Sequence, residues 1–275
     1  MAVVLQTDFA WPDTDIERSI IEGAGHQYVV GQAEALPASD IEALVARHDP
    51  QAIMTCWAQV SAAAIRASSN LQIVQRIGVG LDNIAVESAT ARGAWVANVP
   101  DYCMSEVSDH AIALMLAWAR GAVAFDKSVK AGHWNPAAAS LRRVSDLTVG
   151  LLGYGRIARE TARKLHGFGC NILVHRASGA PVEFGAVCDF EMLLASSDVL
   201  ILHAPLTSET HHLLNGSTIA RMKRGAFLIN VSRGPLVDNA ALADALESGH
   251  LAGAGLDVVE GEPSPPESLV RREDV

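Results

Sequence analysis

From Thr148 to Ala158 the chain reads Thr-Val-Gly-Leu-Leu-Gly-Tyr-Gly-Arg-Ile-Ala, an apolar strand that runs into Gly153-x-Gly155-x-x-Ala158 and then a helical stretch to Phe168. Strand, glycine turn and helix in this order form the first half of a βαβ unit. Gly153 permits the tight turn, Gly155 lets backbone approach a ligand, and the small side chain at 158 lets the helix press on the strand. Unpaired N–H groups and the dipole at the helix start favour negative charge, so the segment predicts a pyrophosphate seat. The glycines alone would also suit a flexible turn; a second βα unit from Asn171 favours nucleotide binding.

The same rhythm runs along the rest of the chain. Short β-branched runs at 3–7, 28–30, 52–55, 73–77 and 95–99 alternate with helix-like segments. Beyond Asp146, runs at 149–152, 171–174, 198–203, 226–231 and 253–258 are separated by helical patterns at 191–196, 217–222 and 239–248. Such alternation predicts parallel sheets. Asn98-Val-Pro-Asp101 breaks the pattern as a hinge between two α/β units, and a long helix follows over 105–120. The apolar stretch 111–125 is interrupted by Arg120 and flanked by Asp109, His110 and Asp126. That is too short and too charged to span a bilayer, so a buried helix is expected there.

A formal charge of −10 over 275 residues argues against nucleic acid or an anionic membrane surface as a general partner. It leaves room for a small anionic substrate held by local arginines. Cys56, Cys103, Cys170 and Cys188 have neither CxxC spacing nor the density of a disulfide scaffold. They read as reduced, mostly buried thiols of a cytoplasmic protein. An apolar run at 3–5 gives way at once to Asp8, Asp13 and Asp15, so no export signal is expected.

Taken together, Gly78-Val-Gly80, the Gly153 loop, His203-Ala-Pro205-Leu-Thr207, Asn230-Val-Ser-Arg233-Gly-Pro-Leu-Val-Asp238 and Gly255-Leu-Asp257-Val-Val-Glu-Gly-Glu262-Pro263 resemble the D-isomer-specific 2-hydroxyacid dehydrogenases over nearly the whole chain. Asn98-Val-Pro-Asp-Tyr-Cys103 with Glu106-Val-Ser-Asp-His110 is similar to the C-terminal-binding-protein-like members. The resemblance implies an α/β chain of two Rossmann-like domains. One is a flavodoxin-like substrate domain at 1–99, lacking its C-terminal part. The other is a doubly wound parallel-sheet NAD(P)-binding domain at 100–275, through which the chain forms a homodimer.

Residue chemistry fits that resemblance. Hydride transfer to a 2-oxo acid needs an anchor for the carboxylate and polarisation of the C2 carbonyl, and a planar guanidinium supplies both. Arg233, just after the run 226–231, falls at the carboxyl edge of its sheet, where α/β folds place ligands; the alternative is a surface arginine capping a helix. Backbone N–H groups of Val79 and Gly80 either cradle the same carboxylate or only shape a turn. By resemblance, Glu262 pairs with a catalytic histidine and favours its protonated form, and Asp257 faces the nicotinamide carboxamide. Their bland alternatives are an exposed acid in a proline-rich loop and a strand-end cap.

The expected cofactor contacts are Gly153, Gly155, Arg156, Ile157, His175, Arg176, Ser178, His203, Ala204, Pro205, Val231 and Asp257, and no metal is expected. Where many members carry an acid for the ribose 2′-hydroxyl, this chain has Arg176 with Ser178 nearby. A guanidinium there suits a 2′-phosphate, so NADP is favoured over NAD, unless Arg176 points to solvent. The family's Pro-His motif has no counterpart up to Val275, and the natural polypeptide is expected to continue with one. His211 and His212 read as solvated, and His110, His133 and His166 as packing or surface residues. The preferred activity is NAD(P)-dependent interconversion of a small 2-oxo acid and a D-2-hydroxy acid. The competing reading is a catalytically impaired nucleotide sensor of the same fold.

Overall fold

The structure, a computed structural model, describes residues 1–137 and 140–275. The chain divides into two compact units, Met1–Tyr102 and Cys103–Val275.

The first unit alternates β1 (Val3–Asp8), α1 (Asp15–Gly23), β2 (Gln27–Gln32), α2 (Ala38–His48), β3 (Ala52–Thr55), α3 (Ala62–Ala67), β4 (Ile73–Arg76), α4 (Val86–Ala91) and β5 (Trp95–Ala97). Its strands pair in the order β2-β1-β3-β4-β5, all parallel, which is the flavodoxin-like arrangement. Leu5, Ile53 and Val74 from the sheet pack with Ile41, Val45 and Ile65 from α2 and α3. At the end of β1 the Asp8 carboxylate is fully buried. It accepts from the hydroxyls of Thr7 (2.7 Å) and Thr55 (3.3 Å) and from the N–H groups of Cys56 (3.0 Å), Trp57 (2.6 Å) and Ala58 (3.1 Å). Those donors replace the lost hydration of a buried carboxylate and brace the carboxyl ends of β1 and β3.

In the second unit, α5 (Met104–Ala119) and α6 (Ala122–Lys130) precede β6 (Thr148–Leu152), α7 (Arg156–Gly167), β7 (Asn171–His175), β8 (Ala186–Val187) and α8 (Phe190–Ser196). There follow β9 (Val199–Leu202), α9 (Gly216–Ile219), β10 (Ala226–Asn230), α10 (Asn239–Glu247), β11 (Leu251–Leu256) and α11 (Glu267–Val270). The six strands are parallel in the order β11-β10-β9-β6-β7-β8. This is the doubly wound Rossmann order, and its direction reverses between β6 and β9, the point at which such sheets bind ligands. One face of the sheet buries Val149, Leu151, Ile201 and Ile229 against Met115 of α5 and Leu165 of α7. The other buries Leu152, Leu200, Leu202 and Leu228 against Leu194 of α8 and Leu242 of α10. Burial on both faces explains why these strands read as unbroken apolar runs.

Several sequence expectations are corrected. The stretch 111–125 belongs to two helices: Gly121, at φ 62°, separates α5 from α6, and α6 buries no residue, with Val123 55% exposed. A left-handed glycine cannot continue an α-helix, so the apolar run is divided there. The helix expected at 217–222 spans only Gly216–Ile219, and β11 ends at Leu256, leaving Asp257 in the following turn. The two-residue edge strand β8 was not foreseen, being too short for any periodicity. All four cysteines are free, but Cys56 alone is buried and the others are partly exposed. Among the described residues no helix is long and apolar enough to cross a membrane.

Candidate active site

The loops that leave the carboxyl edge of the second unit's sheet carry most of the residues singled out above. Gly153, after β6, sits at φ 97°, and a Cβ there would lie 2.8 Å from the His203 carbonyl carbon and oxygen and 2.9 Å from the Ala204 nitrogen. Glycine is therefore required both by conformation and by the close approach of the β9 loop. Gly155 is the N-cap of α7, and no side chain caps the helix. The first intrahelical bond of α7 runs from the Arg159 N–H to the Gly155 carbonyl at 3.0 Å, so the N–H groups of Arg156, Ile157 and Ala158 precede the helical ladder. A Cβ at Gly155 would meet nothing within 4 Å, which leaves that side open to a ligand, while Ala158 is 1% exposed against the sheet.

His203 continues the wall. Its N–H donates to the Leu152 carbonyl (2.8 Å), whereas its ring Nε2 is buried with no hydrogen-bond partner among the described residues. Burial lowers its pKa to about 4, so the ring is neutral at physiological pH. The Ala204 and Pro205 carbonyls accept from the hydroxyls of Ser232 (2.5 Å) and Thr210 (2.7 Å). After β7, His175 Nδ1 lies 3.1 Å from the Cys188 carbonyl, and the Arg176 guanidinium stands 5.8 Å over the Tyr154 ring. Ser178 is exposed two residues on. An uncapped helix start, an open backbone at Gly155 and an orphaned Nε2 are the features that a dinucleotide would complete.

After β10, Asn230 is 1% exposed and organises the next turn: its Nδ2 donates to the Arg233 carbonyl (2.9 Å), and its Oδ1 accepts from the Ser232 N–H (3.1 Å). Arg233 Nη1 donates to the Ser232 carbonyl at 2.7 Å. A Cβ at Gly234 would fall on the Val259 carbonyl and the Glu260 nitrogen. The Arg233 turn is thus wedged against the loop that follows β11. Val231 is buried at 8% exposure.

In that last loop the Asp257 N–H donates to the Asn230 carbonyl at 3.0 Å. Its carboxylate is about half exposed, 3.5 Å from Nε2 of His110 on α5. Glu262 is exposed, and its carboxylate accepts from the Val259 N–H at 2.7 Å. Among the described residues no histidine reaches it. In the first unit, the turn with Val79 and Gly80 is held by Asn98 Nδ2 donating to the Val79 carbonyl (2.7 Å) and by the Val99 N–H donating to the Gly78 carbonyl (3.0 Å). A Cβ at Gly78 would lie 2.7 Å from the Arg76 guanidinium.

Residues 112–275 match the family described as D-isomer specific 2-hydroxyacid dehydrogenase, NAD binding domain. The chain belongs to the D-isomer-specific 2-hydroxyacid dehydrogenases. Relatives include a glyoxylate reductase of Korarchaeum cryptofilum, 41% identical over 78% of this chain and 68% of that protein. Another is a glyoxylate reductase of Thermofilum pendens, 36% identical over 86% of this chain and 73% of that protein. The crystal structure of a glyoxylate reductase from Paecilomyes thermophila superposes with a TM-score of 0.87 at 29% identity, covering 98% of this chain and 85% of that one. These relatives are oxidoreductases that act on 2-oxo acids, and the family's defining chemistry is hydride transfer with a nicotinamide cofactor.

For a member of this dehydrogenase family, two features escaped the sequence reading. His110 approaches Asp257 from a helix far away in sequence. His211 and His212 are not simply solvated: His212 Nε2 lies 2.9 and 3.0 Å from the two Glu260 carboxylate oxygens, and the His211 ring lies tilted against the His212 ring with centroids 4.1 Å apart. Nothing local in sequence announces a partner 48 residues away. His211, His212 and Glu260 bring ligand-type atoms within 4.8 Å of one another. The Glu260 carboxylate is engaged by His212 Nε2, and His211 Nε2 lies 3.8 Å from Glu260 Oε1.

Proposed function

We propose that this chain interconverts a small 2-oxo acid and the corresponding D-2-hydroxy acid, with Arg233 as the residue that binds the reacting carboxylate and polarises the C2 carbonyl. The observation that carries the reading is the Arg233 turn. It stands at the carboxyl edge of β10 beside the His203 wall, and its backbone is fixed by the buried Asn230 and by the wedge at Gly234. Bound nicotinamide supplies or takes up the hydride. In the same reading, unit 2 is the cofactor domain, with the Gly153 loop and the start of α7 holding the pyrophosphate and Asp257 facing the carboxamide. Unit 1 is the substrate domain, and the N–H groups of its Val79–Gly80 turn suit an anion. Both N–H groups lack a protein acceptor among the described residues, as a ligand cradle requires. Glu262 keeps only the role that the family resemblance implies, charge partner of a catalytic histidine, since among the described residues its carboxylate is met by the Val259 N–H and by no histidine.

NADP is the favoured cofactor in this reading: Arg176 follows β7, the second strand of the Rossmann unit, with Ser178 nearby, and a guanidinium after that strand suits a ribose 2′-phosphate. A homodimer through unit 2 is supported by the exposed apolar side chains of Val123, Val129, Trp134 and Leu141. Four free thiols fit a reducing compartment, the cytoplasm.

The test is steady-state oxidation of NADPH and NADH with glyoxylate and hydroxypyruvate. Arg233→Ala is expected to lower kcat/KM by ~10²–10³-fold or more while leaving cofactor affinity within about twofold. Arg233→Lys should restore little, since an ammonium lacks the bidentate fork. Near-native turnover by Arg233→Ala would refute the assignment.

A further inference from the structure

Three neighbouring loops stand side by side at the carboxyl edge of the second sheet. They follow β9, β10 and β11, and β10 lies between the other two. The middle loop carries Arg233. On one side, the His212 N–H donates to the Pro235 carbonyl (2.8 Å), the Leu214 N–H donates to the Leu236 carbonyl (3.0 Å), and the Asp238 N–H donates to the Leu214 carbonyl (2.9 Å). On the other side, the Gly234 backbone is pressed against Val259 and Glu260 so closely that no side chain fits, and Asn239 Nδ2 donates to the Glu260 carbonyl at 3.0 Å. The two outer loops are then joined to each other. His212 Nε2 meets both oxygens of Glu260, and the His211 ring lies against His212 with its own Nε2 3.8 Å from Glu260 Oε1.

We propose that His212 and Glu260 form a clamp that positions the Arg233 turn for substrate. This rests on the reading that Arg233 binds the 2-oxo acid. Neither residue touches substrate in the proposal; both are positioning residues. The backbone supports it independently of the contact: His212 is at φ 48°, a left-handed conformation that a β-substituted residue seldom adopts. Such a conformation persists where its surroundings hold it in place. Here the Asn215 side-chain amide donates to the His212 carbonyl (2.9 Å) while the His212 N–H is held by Pro235, so the ring is directed at Glu260 from a backbone fixed at both ends. A guanidinium that must meet a planar carboxylate by two parallel hydrogen bonds is sensitive to displacements well under the length of a bond, which is what fixing its loop on both flanks prevents.

The experiment uses the whole protein with glyoxylate as the probe substrate. The variants are His212→Ala, Glu260→Gln, the double variant, and Arg233→Ala as reference. For each single variant kcat/KM should fall about 10-fold or more, with the Kd of NAD(P)H unchanged within about twofold, because the clamp acts on the substrate arginine and not on the Gly153 loop. The double variant should fall no further than about threefold below the worse single one, as residues that act as a unit do. Added imidazole should restore part of the activity of His212→Ala and none of that of the double variant. Unchanged kcat/KM in the single variants, alongside a collapse in Arg233→Ala, overturns the clamp and leaves the Arg233 reading intact. Parallel loss of cofactor binding, or no imidazole rescue, also overturns it, since the pair would then be a general structural tie. Activity retained by Arg233→Ala would instead defeat the underlying reading.

Discussion

Replacing His203 with Asn should change how the stability of this protein depends on pH. The ring Nε2 is buried and the ring is neutral, with a pKa lowered by desolvation to about 4 where an unfolded chain has about 6.5. Between those values the unfolded state binds the proton and the folded state does not, so stability rises with pH through this window. The contribution is complete above about pH 6.5 and is lost as pH falls toward about 4. The full gap is worth about 3 kcal/mol, of which about 1.4 kcal/mol is already lost at pH 5.5. Asn fills a similar volume and does not titrate. Urea unfolding of both proteins at pH 7.5 and 5.5, without cofactor, gives the comparison: wild type should lose about 1–1.5 kcal/mol more than His203→Asn between the two. Carboxylates contribute equally to both and cancel in the difference. An identical loss in the two proteins would refute the argument, as would a His203 ring that titrates in native-state NMR at an ordinary histidine value.

Three other outcomes follow from the geometry. Gly234→Ala must displace the Val259–Glu260 backbone, so a loss of about 2–3 kcal/mol and a Tm lower by roughly 5–10 °C are expected in calorimetry; an unchanged Tm would contradict the wedge. Arg176→Ala should weaken NADPH binding about tenfold and NADH binding little, read by calorimetric titration, and equal effects on both would remove the basis for an NADP preference. Cys56 is buried beside Asp8, and desolvation raises its thiol pKa to about 11, so it should react with iodoacetamide more slowly than the other three cysteines in the native protein. Mass mapping of the labelled sites decides that point.

The strands were legible because a parallel sheet covered on both faces must be written as continuous apolar runs, and the Gly153 turn because its demands are local. Their ends were less so. Whether a strand stops at Leu256 or Val258 is set by where the Asp257 N–H finds the Asn230 carbonyl, a partner on another strand. Gly234 appears in sequence as one letter of a motif, but what forbids a side chain there is backbone 25 residues onward. His212 and Glu260 are likewise joined only by the fold, as are Asp8 and the three N–H groups that follow Thr55. The break in 111–125 does have a local signal, since Arg120-Gly121 is a helix-ending pair, but the apolar residues on either side mask it.

The strand order of the second unit also dictates an assembly problem. Its first strand, β6, is central, so one edge stays without a partner until β9 has been made. The closing contact is reciprocal: the Thr148 N–H donates to the Asp198 carboxylate and the Asp198 N–H returns to the Thr148 carbonyl, across 50 residues of chain. On a ribosome, that interval leaves a strand of Val149, Leu151 and Leu152 with open hydrogen-bonding groups for several seconds at ordinary elongation rates. Until β9 has emerged, one edge of β6 has no partner strand, and an unpaired apolar edge is a template for pairing with another chain.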